Sequence, residues 1–379
     1  MESQDKVEFF KHNIGPDEVA SCLQTLASLF HTTGPACARF EEEFAQLLGV
    51  KHVVSVSSCT TGLELALKAL GIGPGDEVIT TPLTFIATPN AALYVGAKPV
   101  FVDAEPVSGN IDPDLIAGGL TSRTKAIIPV HMYGNMCDMT AIKALADRHG
   151  LKVVNDCAHT VEGRRDGVGS AGLADLACYS FYTTKNLSCG EGGAVATDDD
   201  LLAEKLRRLR LHGMSKGASD RYHDLYQHWD MVELGAKGNL SDILASLLLP
   251  QLPKLAGYLA RREAIASRYE EAFAGLPGVD FPRVPAGSIS ARHLFTIWVA
   301  QRDRFLHELQ RRGIGVAVNY RAVHLLTYYR ETFGFKPGDF PVAERIGDAT
   351  LSLPLYPKLE DDEVARVIAA VSEVAHLLA

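Results

Sequence analysis

The chain predicts an α/β fold built on a mostly parallel sheet, and three observations lead there. Short runs rich in Val and Ile alternate with amphipathic helical stretches over the first two thirds of the sequence. Those runs are nearly continuous in apolar character, as strands covered on both faces are. Past residue 240 the pattern changes to a long helical stretch and then to a smaller mixture of strands and helices. The expectation is a three-layer sheet domain followed by a smaller C-terminal α+β domain.

The elements follow in order. "HVVSVSS", from His52, is the first strand and "TGLELALKAL" the helix after it. "DEVITTP" is a strand, "TFIATPNAALYV" a helix and "KPVFVD" a strand. "KAIIPVH" precedes the helical "DMTAIKALADRHG", and "KVVND" ends this βα series. "ADLACYSF" and "GGAVAT" read as two more buried strands. "NLSDILASLLLPQLPKLAGYLARREAIASRYEEAF" is helical, with Pro250 and Pro253 breaking or kinking it. After "GLPGVDFP" come a strand "HLFTIWVA", a helix "RDRFLHELQRRG", a strand "IGVAVNY" and the closing helix "EDDEVARVIAAVSEVAHLLA". The division expected is a large domain over 1–240, a linking helix over 241–275 and a small domain over 276–379.

Composition removes several functions. The 379 residues carry 37 Lys and Arg against 46 Asp and Glu, a net charge of −9. Nucleic acid needs a basic stripe, and none is present. No run of about 18 apolar residues occurs, so no membrane span is expected. "MESQDKVEFFKHNIG" has neither the apolar core of a signal peptide nor an arginine-rich amphipathic pattern. Seven cysteines without CxxC spacing read as reduced thiols of a cytoplasmic protein. Thirteen histidines show no HExxH or other tight ligand pattern, so no metal is expected.

Three short stretches carry chemistry, and one tempting stretch does not. In "GIGPGDEV" the glycines follow a helix and precede a strand, the reverse of a dinucleotide loop, so it reads as a helix stop with a turn. In "SVSSCTTG" Ser57, Ser58, Cys59, Thr60, Thr61 and Gly62 lie where a strand ends and a helix begins, so free backbone N–H groups there, with the hydroxyls, can hold a phosphate. Ordinary capping by Ser or Thr explains the same residues without a ligand. "VVNDCAHT" puts Asp156 at the C-terminal end of an apolar strand, the edge where such sheets bind ligands. Burying that carboxylate requires a partner: an arginine, a helix N-terminus or a cationic ring nitrogen. In "SFYTTKNLSCGEGG" Lys185 stands alone among small, mostly uncharged residues between two buried strands. An anion cradle, a strand-end carboxylate and a lone lysine are together what pyridoxal 5′-phosphate (PLP) needs for its phosphate, its pyridinium nitrogen and its Schiff base. Desolvation lowers a lysine's pKa and makes imine formation feasible near neutral pH.

The same stretches carry a family likeness. "SFYTTKNLSCGEGG" resembles the lysine loop of the DegT/StrS nucleotide-sugar aminotransferases, PLP enzymes of aspartate-aminotransferase fold type I. "TTGPACARFEEEFAQLLGV", "ALGIGPGDEVITTPLTFIAT", "AIIPVHMYG", "NDCAHTVEG", "LRLHGM" and "LSLPLYP" follow in the expected order over nearly the whole chain. The resemblance implies that Lys185 forms the imine with PLP and that Asp156 keeps the pyridine nitrogen protonated. It implies that His159 contacts the cofactor's phenolic oxygen, where a polar residue ending the strand is the plain alternative. Phe85 matches the aromatic that stacks on the ring; as a core phenylalanine it needs no such role. Cys59, Thr60 and Ser180 match phosphate-binding positions, with Gly or Ala common in relatives where Cys59 stands. Asn239 in "KGNLSD" matches an asparagine that reaches the phosphate in the other subunit, which implies a homodimer with shared active sites. "RAVHLLTYYRETF", with Tyr320, Arg321 and His324 nearby, resembles the sugar-binding region, though "TYYRETF" is also an ordinary amphipathic helix.

The reaction so implied runs in two halves. L-glutamate gives its amino group and leaves as 2-oxoglutarate, with pyridoxamine phosphate in between, and a nucleoside-diphosphate keto sugar then accepts the group. Relatives that dehydrate such sugars carry histidine in place of Lys185. A PLP-dependent dehydratase and a non-catalytic regulatory relative remain the alternatives. "KNLSCGEGG" and "RAVH…YYRE" look closest to enzymes aminating a UDP-linked 4-keto-pentose, the 4-amino-arabinose type. Those carry Trp at the position of Phe85 and His at that of Tyr182, which keeps a 4-keto-6-deoxyhexose open.

Overall fold

The structure is a computed structural model and describes residues 6–215 and 228–378. Helices α1 (Pro16–Leu26) and α2 (Pro35–Leu48) precede β1 (His52–Val56) and α3 (Cys59–Ala69). Then follow β2 (Glu77–Thr80), α4 (Ala87–Tyr94), β3 (Lys98–Phe101), α5 (Pro113–Ile116), β4 (Thr124–Ile127), α6 (Met139–His149) and β5 (Lys152–Asp156). After the short β6 (Arg164–Arg165) and β7 (Val168–Gly169) come β8 (Leu176–Ser180), β9 (Gly193–Thr197) and α7 (Asp200–Leu209). Among the described residues seven strands form the central sheet, in the order β1-β9-β8-β5-β4-β2-β3. Five of them, β3, β2, β4, β5 and β8, pair in parallel; β9 runs antiparallel to both its neighbours, β1 and β8. The mostly parallel α/β sheet read from the sequence is therefore present.

The sheet is covered on both faces because neighbouring residues of each strand are apolar. Val54, Val154, Cys178 and Val195 pack with α3, α4 and α7 on one side. Val53, Ala177, Tyr179 and Ala194 meet Phe40 and Phe44 of α2 on the other, and Ile127 and Val153 meet Ile142 of α6. Each such fully buried large side chain contributes about 1.5–3 kcal/mol. Local signals end the helices. Asp138 caps α6 through the Ala141 N–H, and Gly150 closes it at φ 65°. "GIGPGDEV" is the turn expected, with Gly71 and Gly75 at positive φ.

The linking helix is interrupted where its prolines stand: Asp242–Leu248, a 3₁₀ stretch Leu249–Lys254, then Leu255–Phe273. By length and mean hydropathy, Asp242–Phe273 matches a membrane span. Yet it buries Arg262 in an ion pair with Glu162 and packs Leu252, Leu255 and Ile265 inside the protein. Such packing is that of a core helix.

Beyond it, β10 (Val279–Asp280), β12 (Phe295–Val299) and β13 (Thr350–Leu353) form an antiparallel sheet, while β11 (Ser288–Ile289) joins β6. Helices Arg302–Arg311 and Asp361–Leu378 cover the β12–β13 sheet. One expectation needs correction. "IGVAVNY" is not a strand: Ile314 bridges Val7 and Ala317 bridges Ser352, each as an isolated pair. Val7 from the N-terminal segment and Ile265, Tyr269 and Phe273 from the linking helix pack into the C-terminal core with Phe295, Ile297 and Leu351.

Candidate active site

The ends of β1, β5 and β8 converge on one cavity of about 560 Å³. Cys59, Thr60, Phe85, Asp156, His159, Ser180, Lys185 and Tyr320 all line it. Eight of the eleven residues singled out in the sequence are thus brought together. Seven of them meet because each follows the C-terminal end of a central-sheet strand or begins the helix after one, and Tyr320 reaches the cavity from the C-terminal part.

The start of α3 is built to face an anion. Ser58 caps the helix by accepting the Thr61 N–H at 3.1 Å, and the Gly62 N–H bonds the Ser58 carbonyl at 2.9 Å. The N–H groups of Cys59 and Thr60 have no acceptor among the described residues. Across the cavity, Ser180 Oγ accepts the Tyr182 N–H at 3.3 Å, and its own proton likewise has no acceptor there. β9 holds this cradle closely from behind. A Cβ on Gly193 would lie 2.5 Å from the Ser58 carbonyl carbon and 2.6 Å from the Cys59 nitrogen.

Asp156 is nearly completely buried, yet its hydrogen-bonding partners are all neutral. Oδ2 accepts from Thr88 Oγ1 at 2.7 Å, and Oδ1 accepts from the Ala158 N–H at 3.0 Å, with Cys59 Sγ at 3.9 Å. Burial pushes the carboxyl pKa up, against the pull of Thr88, Ala158, the more distant Lys185 charge and Cys59. A cationic N–H in the cavity is what this carboxylate lacks.

His159 has a defined tautomer. Nδ1 accepts the Tyr133 N–H at 3.3 Å, so the proton sits on Nε2, 3.2 Å from the Tyr320 hydroxyl. Burial, and then the Lys185 charge, push its pKa well below the usual range and keep the ring neutral. Phe85 is half exposed to the cavity, its ring 5.5 Å from that of Tyr320.

Lys185 sits on the loop between β8 and β9, and both ends of that loop are tied. Ser180 pairs with Gly193, the Phe181 N–H donates to the Gly192 carbonyl at 2.8 Å, and the Cys189 N–H to the Phe181 carbonyl at 2.9 Å. Burial brings the Lys185 pKa down to about 8, with Asp156 and Cys59 opposing. A lysine so placed is about half neutral at pH 8, far more than an ordinary lysine, as a nucleophile or proton carrier needs.

Three sequence candidates stand elsewhere. Asn239 bridges Val56 at the end of β1, but its Nδ2 donates to Thr33 Oγ1 at 2.8 Å and to the Leu240 carbonyl at 3.2 Å, outside the cavity lining. Arg321 is exposed and does not line the cavity. His324 is fully buried, holds Glu344 Oε1 at 2.9 Å and packs 4.8 Å from the Phe340 ring. Its imidazole secures a loop and does not face the cavity. Conversely, the structure adds Thr88, His293 and the N-terminal Phe9 and Phe10 to the surroundings of the lysine and Asp156. Nothing local in "RHLF" marks His293, whose partners Lys185 and Asn186 lie 108 and 107 residues away.

Known proteins share this architecture and sequence. SpsC of Bacillus subtilis strain 168, a spore coat polysaccharide biosynthesis protein, is 46% identical over 371 residues, 95% of each chain. DesV of S. venezuelae, solved in complex with a ketimine intermediate, is 38% identical with a TM-score of 0.88 over 94% of each chain. Spr1654 of Streptococcus pneumoniae in its PLP form is 29% identical with a TM-score of 0.92, over 99% of this chain and 100% of its own. The DegT/DnrJ/EryC1/StrS aminotransferase pattern runs through residues 12–372, on both sides of the cavity, and the chain belongs to that family.

Proposed function

We propose that this aminotransferase uses PLP to move an amino group from L-glutamate to the C4 keto carbon of a nucleoside-diphosphate sugar. One arrangement carries the reading: two unsatisfied amides at a helix start, a buried carboxylate without a cation and a lysine of lowered pKa share one cavity. These donors fit the cofactor end to end. The PLP form of Spr1654 and the polysaccharide role of SpsC support the cofactor and the sugar in turn.

When bound, PLP supplies an electron sink that lets a proton leave the carbon bearing the amino group. The rest falls to this chain's residues. The N–H groups of Cys59 and Thr60 and the Ser180 hydroxyl hold the phosphate. Asp156, kept in place by Thr88 and Ala158, holds the proton on the ring nitrogen. His159 presents its Nε2–H toward the phenolic oxygen, and Phe85 covers a face of the ring. Lys185 anchors the cofactor and, once released, carries the proton on Nζ between the substrate carbon and the cofactor. Tyr320, beside Phe85 and His159, shapes the sugar side of the cavity.

Asn239 reaches the phosphate of a second subunit, so the working form is a homodimer. Six of the seven unpaired cysteines are buried, which supports a reducing, cytoplasmic setting. The visible spectrum of the purified protein with PLP tests the whole reading. A yellow band that falls on adding L-glutamate is expected, followed by amino transfer to a UDP- or dTDP-linked keto sugar. A band indifferent to glutamate removes the donor; no band at all removes the function.

A further inference from the structure

Behind the cavity a file of buried polar groups runs away from the lysine. Lys185 Nζ lies 3.4 Å from His293 Nε2, its one hydrogen-bond partner for that atom among the described residues. His293 Nδ1 is 3.2 Å from Asn186 Oδ1. Asn186 Nδ2 donates to Glu162 Oε2 at 3.2 Å and to the Ala291 carbonyl at 2.9 Å. Glu162 Oε1 in turn accepts from Arg262 at 2.6 Å, and Arg262 is fully buried. The proposed reaction uses none of the last four side chains.

Their donor and acceptor capacities fix the direction of every bond. A carboxylate and a carbonyl only accept, so both require the amide nitrogen of Asn186, and its oxygen is left facing the imidazole. That oxygen only accepts, so His293 carries its proton on Nδ1. A neutral imidazole has one N–H, and Nε2 therefore offers a lone pair to Lys185. The ring is kept neutral first by burial and then by the nearby Lys185, His159 and Arg262.

We propose that His293 is a positioning residue whose Nε2 lone pair holds the Lys185 amine, in a tautomer locked by Asn186, Glu162 and Arg262. This rests on the reading of Lys185 as the cofactor-binding and proton-carrying amine. Lysine has a flexible four-carbon stem, and between the two halves of the reaction its Nζ is free of the cofactor. The imidazole keeps it at the cavity wall, ready to receive a proton. A neutral acceptor also favours the ammonium form, opposing the desolvation that lowers the lysine's pKa. The other ionisable groups facing the pair are Asp156 from β5, Cys59 from α3, His159 after β5 and Arg262 from the linking helix.

The test is trace amine labelling of the full-length apoenzyme with acetic anhydride across pH, reading the Lys185 peptide by mass spectrometry. The wild-type midpoint is expected near 8. His293→Phe removes the acceptor and is expected to lower the midpoint by about one pH unit. His293→Gln, whose Oε1 can stand at the place of Nε2, is expected to restore it. Asn186→Leu keeps the ring but releases its tautomer and is expected to lower the midpoint too. An unchanged midpoint in His293→Phe, or a Gln variant that behaves as Phe, overturns the proposal; if the Phe variant does not fold, an unchanged midpoint in Asn186→Leu does so. Adding PLP to the wild type separates the two readings. Midpoint shifts without any visible band would sink the role of Lys185 in cofactor binding and leave its contact with His293 standing.

Discussion

At the residue scale the chemistry is set by what each buried group has and what it lacks. Asp156 has three neutral neighbours and no cation; Lys185 has one imidazole and a pKa near 8. Lys185→Ala is expected to lose turnover by on the order of 10³-fold or more, with the spectrum of added PLP left as that of the free aldehyde. Steady-state assay and spectrum together check this. The pH dependence has a definite sign. Below about 8 Lys185 is mostly ammonium and cannot attack an aldehyde. Cofactor uptake by the apoenzyme should therefore rise about tenfold per pH unit up to that point and level off above it. Stopped-flow absorbance gives the profile, and a flat one from pH 6 to 9 contradicts the lowered pKa. Asp156 was legible because it ends an apolar strand, and Lys185 because it stands alone on a loop between two apolar runs. His293 was not, since its contacts to Lys185 and Asn186 span 108 and 107 residues and leave no local pattern. Arg321 and His324 stand outside the cavity lining although they adjoin Tyr320 in sequence, since closeness along a loop does not fix where a side chain points.

At the scale of elements, the cradle depends on how near β9 comes to the start of α3. Gly193→Ala would put a methyl group into the Ser58–Cys59 peptide, and backbone cannot give way as a flexible side chain can. Overpacking of this kind typically costs about 1–3 kcal/mol. The variant is expected to melt earlier and to hold PLP more weakly, by thermal denaturation and equilibrium dialysis. Normal cofactor affinity with lowered stability would separate the cradle's shape from its strength. The βα series was readable because doubly covered strands are apolar throughout, and Pro250 and Pro253 marked the break in the linking helix. "IGVAVNY" was misread because alternation shows what a strand could bury, not whether a partner lies beside it. There the segment meets Val7 on one side and Ser352 on the other, one pair each.

Over the whole molecule, the C-terminal core is assembled from three distant parts of the chain, and Val7 is the N-terminal part. Its N–H bonds the Gly313 carbonyl at 2.8 Å, and its carbonyl receives the Gly315 N–H at 2.8 Å. Phe9 and Phe10, just after it, line the cavity. Val7→Asp places an unpaired carboxylate in that core, and a marked fall in melting temperature together with lower activity is expected. Lower stability with full activity would show that the segment supports the fold alone. Composition could not reveal this arrangement, because a short apolar segment near one end looks the same whether it is clipped down or free. The tied loop of Lys185 has a consequence for molecular traffic. Both its ends are fastened within the central sheet, so the lysine's backbone is stationary and the ligands do the travelling. Donor and acceptor must bring their reacting carbons to the same point in space, whatever bulk stands behind them. Choice between them then belongs to the rim, where Tyr182 is 45% exposed; remodelling that rim changes which sugar is accepted and leaves the donor's half of the reaction as it was.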